Sequence, residues 1–249
     1  MGALHAGHLA LIRRARKLAG RRGTVVVSIF VNPIQFGPKE DFSRYPRPFA
    51  KDAALCHENG VDLLFNPSPE QMYPPGFSTY IDEGALGDAL CGRSRPGHFR
   101  GVCTVVAKLF HILTPDIAVF GKKDFQQLAI IRRMVRDLNI PVKIDAFDTV
   151  REHDGLALSS RNQYLTTAER AQAPIIRRAL LTGAKNIRTA KKIISKLIAT
   201  APLAKIDYIE ILDAETLRPI TPSTKQILIA AAVFFGKTRL IDNLTVAKK

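Results

Sequence analysis

Residues 24–37 read TVVVSIFVNPIQFG. Residues 24–31 are a continuous apolar run rich in β-branched side chains, the pattern of a strand buried on both faces of a parallel sheet. Asn32, Pro33, Ile34 and Gln35 then make a loop at the strand's carboxyl end, where open α/β sheets place their ligands. Working outward, residues 48–59 predict a helix closed by Gly60, and residues 62–65 a short strand. Residues 72–76 read as a turn and 78–81 as a short extended piece. Residues 101–113 read as a helix, 116–120 as a buried strand, 125–138 as a helix and 141–147 as a further strand. This β–loop–α rhythm predicts a doubly wound α/β domain over residues 1–150.

After Val150 the character changes. A polar loop, 151–162, precedes helices predicted at 167–181 and 189–199 and strands at 206–212 and 226–234. Residues 151–249 are therefore expected to form a smaller α+β domain with antiparallel pairing.

Ahead of the first strand, residues 1–18 read MGALHAGHLALIRRARKL. Leu9, Leu11, Ile12, Ala15 and Leu18 alternate with Arg13, Arg14, Arg16 and Lys17, so a helix with one apolar and one basic face is expected. His5 and His8 fall on the loop and first turn of that helix. Unsatisfied backbone N–H groups and the helix dipole attract anions there. On these residues alone, a phosphate site and two ordinary capping histidines are equally good readings.

The 249 residues include 37 Lys and Arg against 22 Asp and Glu, a formal charge of +15. That balance fits nucleic acid, an acidic surface or anionic small substrates. The cations are scattered over several helices, Trp is absent, and no paired aromatic strand motif accompanies them, which argues against nucleic acid. No segment approaches the length of a bilayer span, and no secretory h-region is visible. Cys56, Cys91 and Cys103 lack CxxC spacing and cannot all pair, so a reducing cytoplasm without a zinc site is expected.

Four loops carry the chemistry: residues 5–8, 32–35, 121–124 and 158–161. With their surroundings they resemble the pantoate–β-alanine ligase family of the nucleotidyltransferase superfamily, which is related to class I aminoacyl-tRNA synthetases. The motifs that carry the resemblance are MGALHAGH, VVVSIFVNPIQF, FSRYPR, RPGHFRGV, PDIAVFGKKDFQQL, DGLALSSRNQYL and TRLIDN, in family order over nearly the whole chain. The resemblance implies a Rossmann-like nucleotide- and pantoate-binding domain followed by a C-terminal lid. It also implies an ATP-dependent condensation of pantoate with β-alanine through pantoyl adenylate, giving pantothenate, AMP and pyrophosphate for coenzyme A biosynthesis. Magnesium accompanying ATP, a cytoplasmic location and a homodimer are implied as well.

Carried over residue by residue, Met1, Gly2, Ala3, Leu4, His5, Ala6, Gly7 and His8 would lie along ATP, with His8 as the donor to phosphate and His5 against the same group. Gly121, Lys122, Lys123 and Asp124 would hold the nucleotide, with Lys123 on phosphate. Val150, Leu158, Ser159, Ser160 and Arg161 would close over it, with the last three as donors. Gln35 and Gln127 would bind pantoate, and Gln35 would also border β-alanine. Arg95 and His98 would line the pantoate pocket or order a neighbouring loop, and Tyr45 and Arg47 would be gating or dimer residues rather than catalysts.

Two departures stand out. Family members carry some tens of residues before this motif, ending in an apolar strand that runs into Pro-Thr-Met-Gly. Met1 stands at that internal methionine's place, so a sheet lacking its first strand is expected, from a mis-set start or a truncated form. Lys122 replaces a commonly acidic residue. The rival readings are another small-molecule nucleotidyltransferase, a nucleic-acid-binding protein, and an inactive remnant of the ligase.

Overall fold

The structure, a computed structural model, describes residues 2–38, 40 and 42–248. The chain forms two compact units: Met1–Lys122 with Gln126–Asp148, and Lys123–Phe125 with Thr149–Lys249.

In the first unit the order is α1 (Ala6–Ala19), β1 (Val26–Ser28), α2 (Phe49–Glu58), β2 (Leu63–Phe65), α3 (Pro69–Met72), α4 (Leu90–Ser94) and α5 (His98–Leu113). Then come β3 (Ile117–Gly121), α6 (Phe125–Asp137) and β4 (Lys143–Phe147). The strands are parallel and make two ladders, β1 with β2 and β3 with β4. β1 is much shorter than the apolar run around it, because ladder bonds form only where the three residues of β2 face it. Val25, Val27 and Ile29 are buried while Val26 and Ser28 are partly exposed. The run thus alternates, where burial on both faces was expected. β3 is likewise half-buried throughout.

α1 packs Ile12, with Leu9 partly buried, against Leu4, Val27, Ile29 and Cys56. Its opposite face is basic, and that charge is engaged inside the unit. Arg13 donates to Asn59 at 3.1 Å, and Arg14 donates to both oxygens of Asp145 at 2.9 and 2.8 Å. Arg16 reaches the carbonyls of Gly23 and Gly60, each at 2.9 Å, and the carboxylate of Asp62. Asp62 also accepts the Val25 N–H at 2.7 Å, so one carboxylate ties α1 to the entry of β1. α5 begins three residues earlier than its apolar pattern predicts, because Gly97 adopts a left-handed φ of 78° and lets the chain enter the helix at His98.

The second unit contains α7 (Thr167–Gln172), α8 (Ile175–Gly183), α9 (Ala190–Ile198), β5 (Ala204–Asp213), β6 (Gln226–Phe235) and β7 (Thr238–Ala247). The single helix expected over 167–181 is two, because Pro174 has no N–H to donate and its ring obstructs the preceding turn. The sheet is antiparallel in the order β5-β6-β7, one strand more than expected. Gly236, at a φ of 55°, turns β6 into β7. Helices α8 and α9 bring Ile176, Leu180, Ile194 and Ile198 into one core with Ile229, Val233 and Phe235 of β6.

At the crossing of α8 and α9, a Cβ on Gly183 would stand 2.5 Å from Ile194 Cγ1 and 2.7 Å from its Cδ1. Ile194 is fully buried and has nowhere to retreat. Gly183→Val is therefore expected to destabilise this unit by about 1–3 kcal/mol through overpacking, read as a lower midpoint in urea denaturation.

Candidate active site

The backbone ahead of α1 ends at His5, the N-cap, with φ −136° and ψ 174°. The His5 side chain accepts the Gly7 N–H at Nδ1, 3.1 Å away, and also caps the N–H of His8. In return the Nδ1 of His8 accepts the His5 N–H at 3.3 Å. The two rings stand 4.0 Å apart, centre to centre. Sequence reasoning left phosphate binding and capping as rivals here, and the structure shows that the histidines do cap. Capping also decides their chemistry. A neutral imidazole has one donor and one acceptor nitrogen, so a ring that accepts at Nδ1 carries its proton at Nε2. Both imidazoles are thereby set as Nε2–H donors. Met1, assigned to the same loop, lies outside the described residues.

Upstream, Ala3 takes a left-handed φ of 50°, and the N–H groups of Ala3 and Leu4 donate to the two oxygens of Asp52, each at 2.8 Å. Asp52 belongs to the first turn of α2 and is 1% exposed. Sequence reasoning missed it. A lone Asp in a predicted helix shows no sign of a partner nearly fifty residues away.

Gln35 closes a short 3-10 turn, Pro33–Gln35, behind β1. Its side-chain oxygen accepts from Asn32 Nδ2 at 3.1 Å, and the same nitrogen donates to the Gly101 carbonyl at 3.1 Å. Asn32 is buried, and its own oxygen accepts the Tyr73 hydroxyl at 2.7 Å. Burial pushes the Tyr73 hydroxyl well above the ordinary phenol range, so it stays a donor. The Gln35 carbonyl is held by His98 Nδ1 at 2.8 Å, while His98 Nε2 stands 2.9 Å from Arg95. A guanidinium only donates, so His98 accepts at Nε2 and donates from Nδ1, the tautomer opposite to that of His5 and His8.

Arg95 also forks onto Glu40 with contacts of 3.0 and 2.5 Å. Burial raises the Glu40 carboxyl, but the hydrogen bonds and charge of Arg95 outweigh it and hold the carboxyl below the ordinary range. Arg95 and His98 thus order the loop that bears Gln35. Gly101 is needed where α5 meets that loop, since a Cβ there would stand 2.5 Å from the Ile34 oxygen and 2.7 Å from Gln35 Cα. Arg47 donates to the carbonyls of Tyr45 and Phe42, at 3.3 and 2.9 Å, and covers the Phe42 ring.

On α6, Gln126 is buried, with its amide taken up by Cys91 N–H and the carbonyls of Leu86 and Ala89. The neighbouring Gln127 is half-buried. Lys122 donates to Asp148 at 2.6 Å, which offsets the extra positive charge at this position.

In the second unit Lys123 sits beside Asp124, their charged ends 3.6 Å apart. Its carbonyl accepts from Asn243 Nδ2 of β7 at 2.9 Å. The adjacent Asp242, 4% exposed, receives both ends of the Arg151 guanidinium at 2.8 and 2.9 Å. Arg151 belongs to a small hairpin in which Leu158 N–H meets the Val150 carbonyl at 3.0 Å and Gly155 turns the chain at a φ of 92°. The hairpin runs into Ser159, whose hydroxyl accepts the Arg161 N–H at 3.2 Å and starts a 3-10 turn, Ser160–Tyr164. Asn162 ties that turn back to Glu152 at 3.0 Å and to the Ala157 carbonyl at 3.1 Å. Val150, Leu158, Ser159, Ser160 and Arg161 are thus carried by one braced element, and β7 fastens it and Lys123 through adjacent residues. The motif containing Asp242 and Asn243 was visible in the sequence; its bracing role was not.

The described residues contain no group of three His, Cys, Asp or Glu side chains placed to hold a metal ion, and no helix long and apolar enough to cross a membrane.

The first unit has parallel βα pairs and two histidines capping a helix start, and the second an antiparallel sheet, Lys123 and a Ser-Ser-Arg turn, features of the class of α/β nucleotidyl-transferring enzymes. The family model described as pantoate–β-alanine ligase matches residues 1–245. The pantothenate synthetase of Akkermansia muciniphila is 52% identical over 98% of this chain and 89% of its own length. That of Thermotoga neapolitana is 52% identical over 98% and 88%. The crystal structure of the Thermus thermophilus enzyme superposes with a TM-score of 0.93 at 49% identity, covering 98% of this chain and 90% of that one. The Francisella tularensis pantoate–β-alanine ligase, solved with β,γ-ATP and β-alanine, superposes with a TM-score of 0.79 at 37% identity over 98% and 86%. The chain belongs to the pantoate–β-alanine ligase family. Nothing in these matches supports an inactive remnant.

One pH dependence follows from the hairpin. Arg170 donates to Glu152 and Asp154, at 2.6 and 2.7 Å, and its hydrogen bond holds the Asp154 carboxyl below the ordinary range. A lowered carboxyl stabilises the fold above its unfolded value of about 3.9, and that contribution is lost as pH falls through the lowered value. Arg170→Met is therefore expected to lower the urea midpoint near neutral pH, and the difference between the two proteins is expected to shrink as pH falls through the lowered Asp154 value.

Proposed function

We propose that this chain joins pantoate to β-alanine at the expense of ATP, through pantoyl adenylate. The observation that carries the reading is the reciprocal His5–His8 cap, which turns the family's opening motif into a pair of Nε2–H donors.

A carboxylate is a poor acyl donor because its leaving group would be oxide, and adenylation replaces that group. In the first step an oxygen of the pantoate carboxylate attacks the α-phosphorus. The bond to the bridging oxygen breaks and pyrophosphate leaves. Charge shifts onto the α-phosphate oxygens and the departing pyrophosphate, so donors aimed there lower the barrier. We assign His8 Nε2–H to the phosphate, with His5 beside it, and Lys123, Ser159, Ser160 and Arg161 to the same triphosphate. Gly2, Ala3, Leu4, Ala6, Gly7, Gly121, Asp124, Val150 and Leu158 supply backbone and shape to the nucleotide site. In the second step the unprotonated amine of β-alanine attacks the acyl carbon and AMP leaves, while the nitrogen gives up a proton. Gln35 and Gln127 hold pantoate, and Gln35 borders the amine. An amide suits this place because it can donate to a carboxylate and accept from a hydroxyl. The second unit acts as a lid, keeping water from the mixed anhydride.

Magnesium would enter as part of the ATP substrate and would neutralise phosphate charge there, held mostly by water and substrate oxygens. Cys56, Cys91 and Cys103 are buried thiols, which supports a reducing cytoplasm. A homodimer is proposed by analogy with the family. The cations are scattered and some are engaged within the first unit, Arg14 by Asp145 and Arg16 by Asp62, which gives a nucleic-acid reading little support.

The test is isotope exchange. Labelled pyrophosphate should enter ATP when pantoate is present without β-alanine, and exchange indifferent to pantoate would contradict the assignment. His8→Ala should slow that exchange by about 10²-fold or more, the loss seen when a transition-state donor is removed, while the KM for pantoate changes far less. Equal losses in both would reduce His8 to a binding residue.

A further inference from the structure

Among the described residues, the most deeply buried carboxylate of the first unit has no place in the chemistry above. Asp52 is 1% exposed, and its two oxygens accept the N–H groups of Ala3 and Leu4 at 2.8 Å each. No Lys, Arg or His forms an ion pair with it among the described residues. The two hydrogen bonds that hold it are of the short, charge-assisted kind.

Its partners are unusual too. Ala3 is a non-glycine residue at a left-handed φ of 50°, a conformation that persists only where the surroundings enforce it. In that turn the successive N–H groups of Ala3 and Leu4 face one way and make a small backbone concavity for an anion. Asp52 fills it. Leu4 is followed directly by His5, whose N–H must point at His8 Nδ1 for the reciprocal cap to close. The geometry points to Asp52 as a positioning residue. By occupying the Ala3–Leu4 concavity from α2, it fixes the entry of the chain into α1 and so aims the Nε2–H donors of His5 and His8. It also denies that concavity to substrate anions, so phosphate or carboxylate meets the imidazoles instead.

This inference rests on the reading of His8 as a donor to phosphate, and its test separates the two. Asp52→Ala leaves the concavity open. The variant is expected to lose at least about tenfold in the rate of pantoate-dependent pyrophosphate exchange, with the KM for pantoate within about twofold of wild type. Added formate, a carboxylate small enough to take the place of the missing group, should restore part of the rate with saturation, and should not do so in His8→Ala. In the wild type, ¹⁵N shifts of labelled histidine should show both His5 and His8 with the proton on Nε2. In Asp52→Ala that pattern should be lost and then recovered with formate.

A folded Asp52→Ala with an unchanged exchange rate overturns the proposal, as does a lost rate that formate leaves untouched. If Asp52→Ala does not fold, Asp52→Asn takes its place: it keeps one acceptor and must show the same fall in exchange rate without formate rescue. Should neither fold, an Nδ1–H tautomer at His5 or His8 in the wild type overturns the proposal, and Nε2–H at both upholds it. Should wild type itself show no pantoate-dependent exchange, the proposed function fails, while the histidine shifts in Asp52→Ala still decide whether Asp52 holds the two rings.

Discussion

The first four N–H groups of an α-helix have no acceptor within it, and something else must supply one. In α1 that supply comes largely from imidazole nitrogen. His5 Nδ1 accepts from the first turn, and His8 Nδ1 accepts from the backbone of His5. An Asp or Ser at the N-cap would satisfy the same groups, but would end the matter there. An imidazole has a second nitrogen on the far side of the ring, and using the first as an acceptor commits the second as a donor. If these imidazoles serve phosphate as proposed, helix capping and preparation of the site are one event. Substituting either histidine removes a cap as well as a chemical group, so kinetic losses at these positions carry a structural part.

Most of the fold was legible because it follows from period and punctuation. Gly60 closes α2 where expected, and α6 and β4 differ from their predicted bounds by a residue or two. What failed did so for reasons outside the local pattern. The apolar run 24–31 promised a long strand, yet a strand exists only as far as a partner reaches, and β2 offers three residues. Pro174 lay in plain view inside a helical period and still cut it. β7 was hidden because polar Asp242 and Asn243 interrupt its alternation, and both are buried in service of loops far away in the chain. The candidate site divides the same way. Residues with distinctive chemistry, His5, His8, Lys123 and Arg161, could be singled out by motif. Those that brace the candidate loops, Asp52, Asn32, Tyr73 and Asp242, are ordinary residues that reach partners 41 to 91 positions away.

The charge of +15 decides nothing by itself, and the structure engages part of it within each unit. Arginines that sequence alone places on an open basic face turn inward to carboxylates and carbonyls. Arg14 meets Asp145, Arg16 meets Asp62, Arg151 meets Asp242, Arg170 meets Glu152 and Asp154, and Arg239 meets Asp207. Acidic residues are too few to pair every cation, so a positive field remains. Its natural use is attraction of small anions such as ATP and pantoate, whose encounter rate rises with such a field and falls with salt.

The loops assigned to substrates share a manner of construction. Each is fixed by a polar side chain that reaches it from another element: Asp52 for residues 3–4, Asn32 and His98 for Gln35, Asn243 for Lys123, Asn162 for the Ser159 turn. Apolar packing would stabilise these contacts more cheaply, since burying a polar or charged group forfeits its hydration. Apolar packing is also non-directional, and a loop it holds can slide by an ångström at little penalty. A hydrogen bond weakens steeply once its angle is lost, so a buried polar clamp trades stability for definition of position. Chemistry at a phosphate needs that definition, because a misplacement of about 1 Å can cost on the order of a hundredfold in rate. Substitutions at these clamps should therefore weigh more heavily on rate than on folding, the reverse of substitutions in the core formed by α8, α9 and β6.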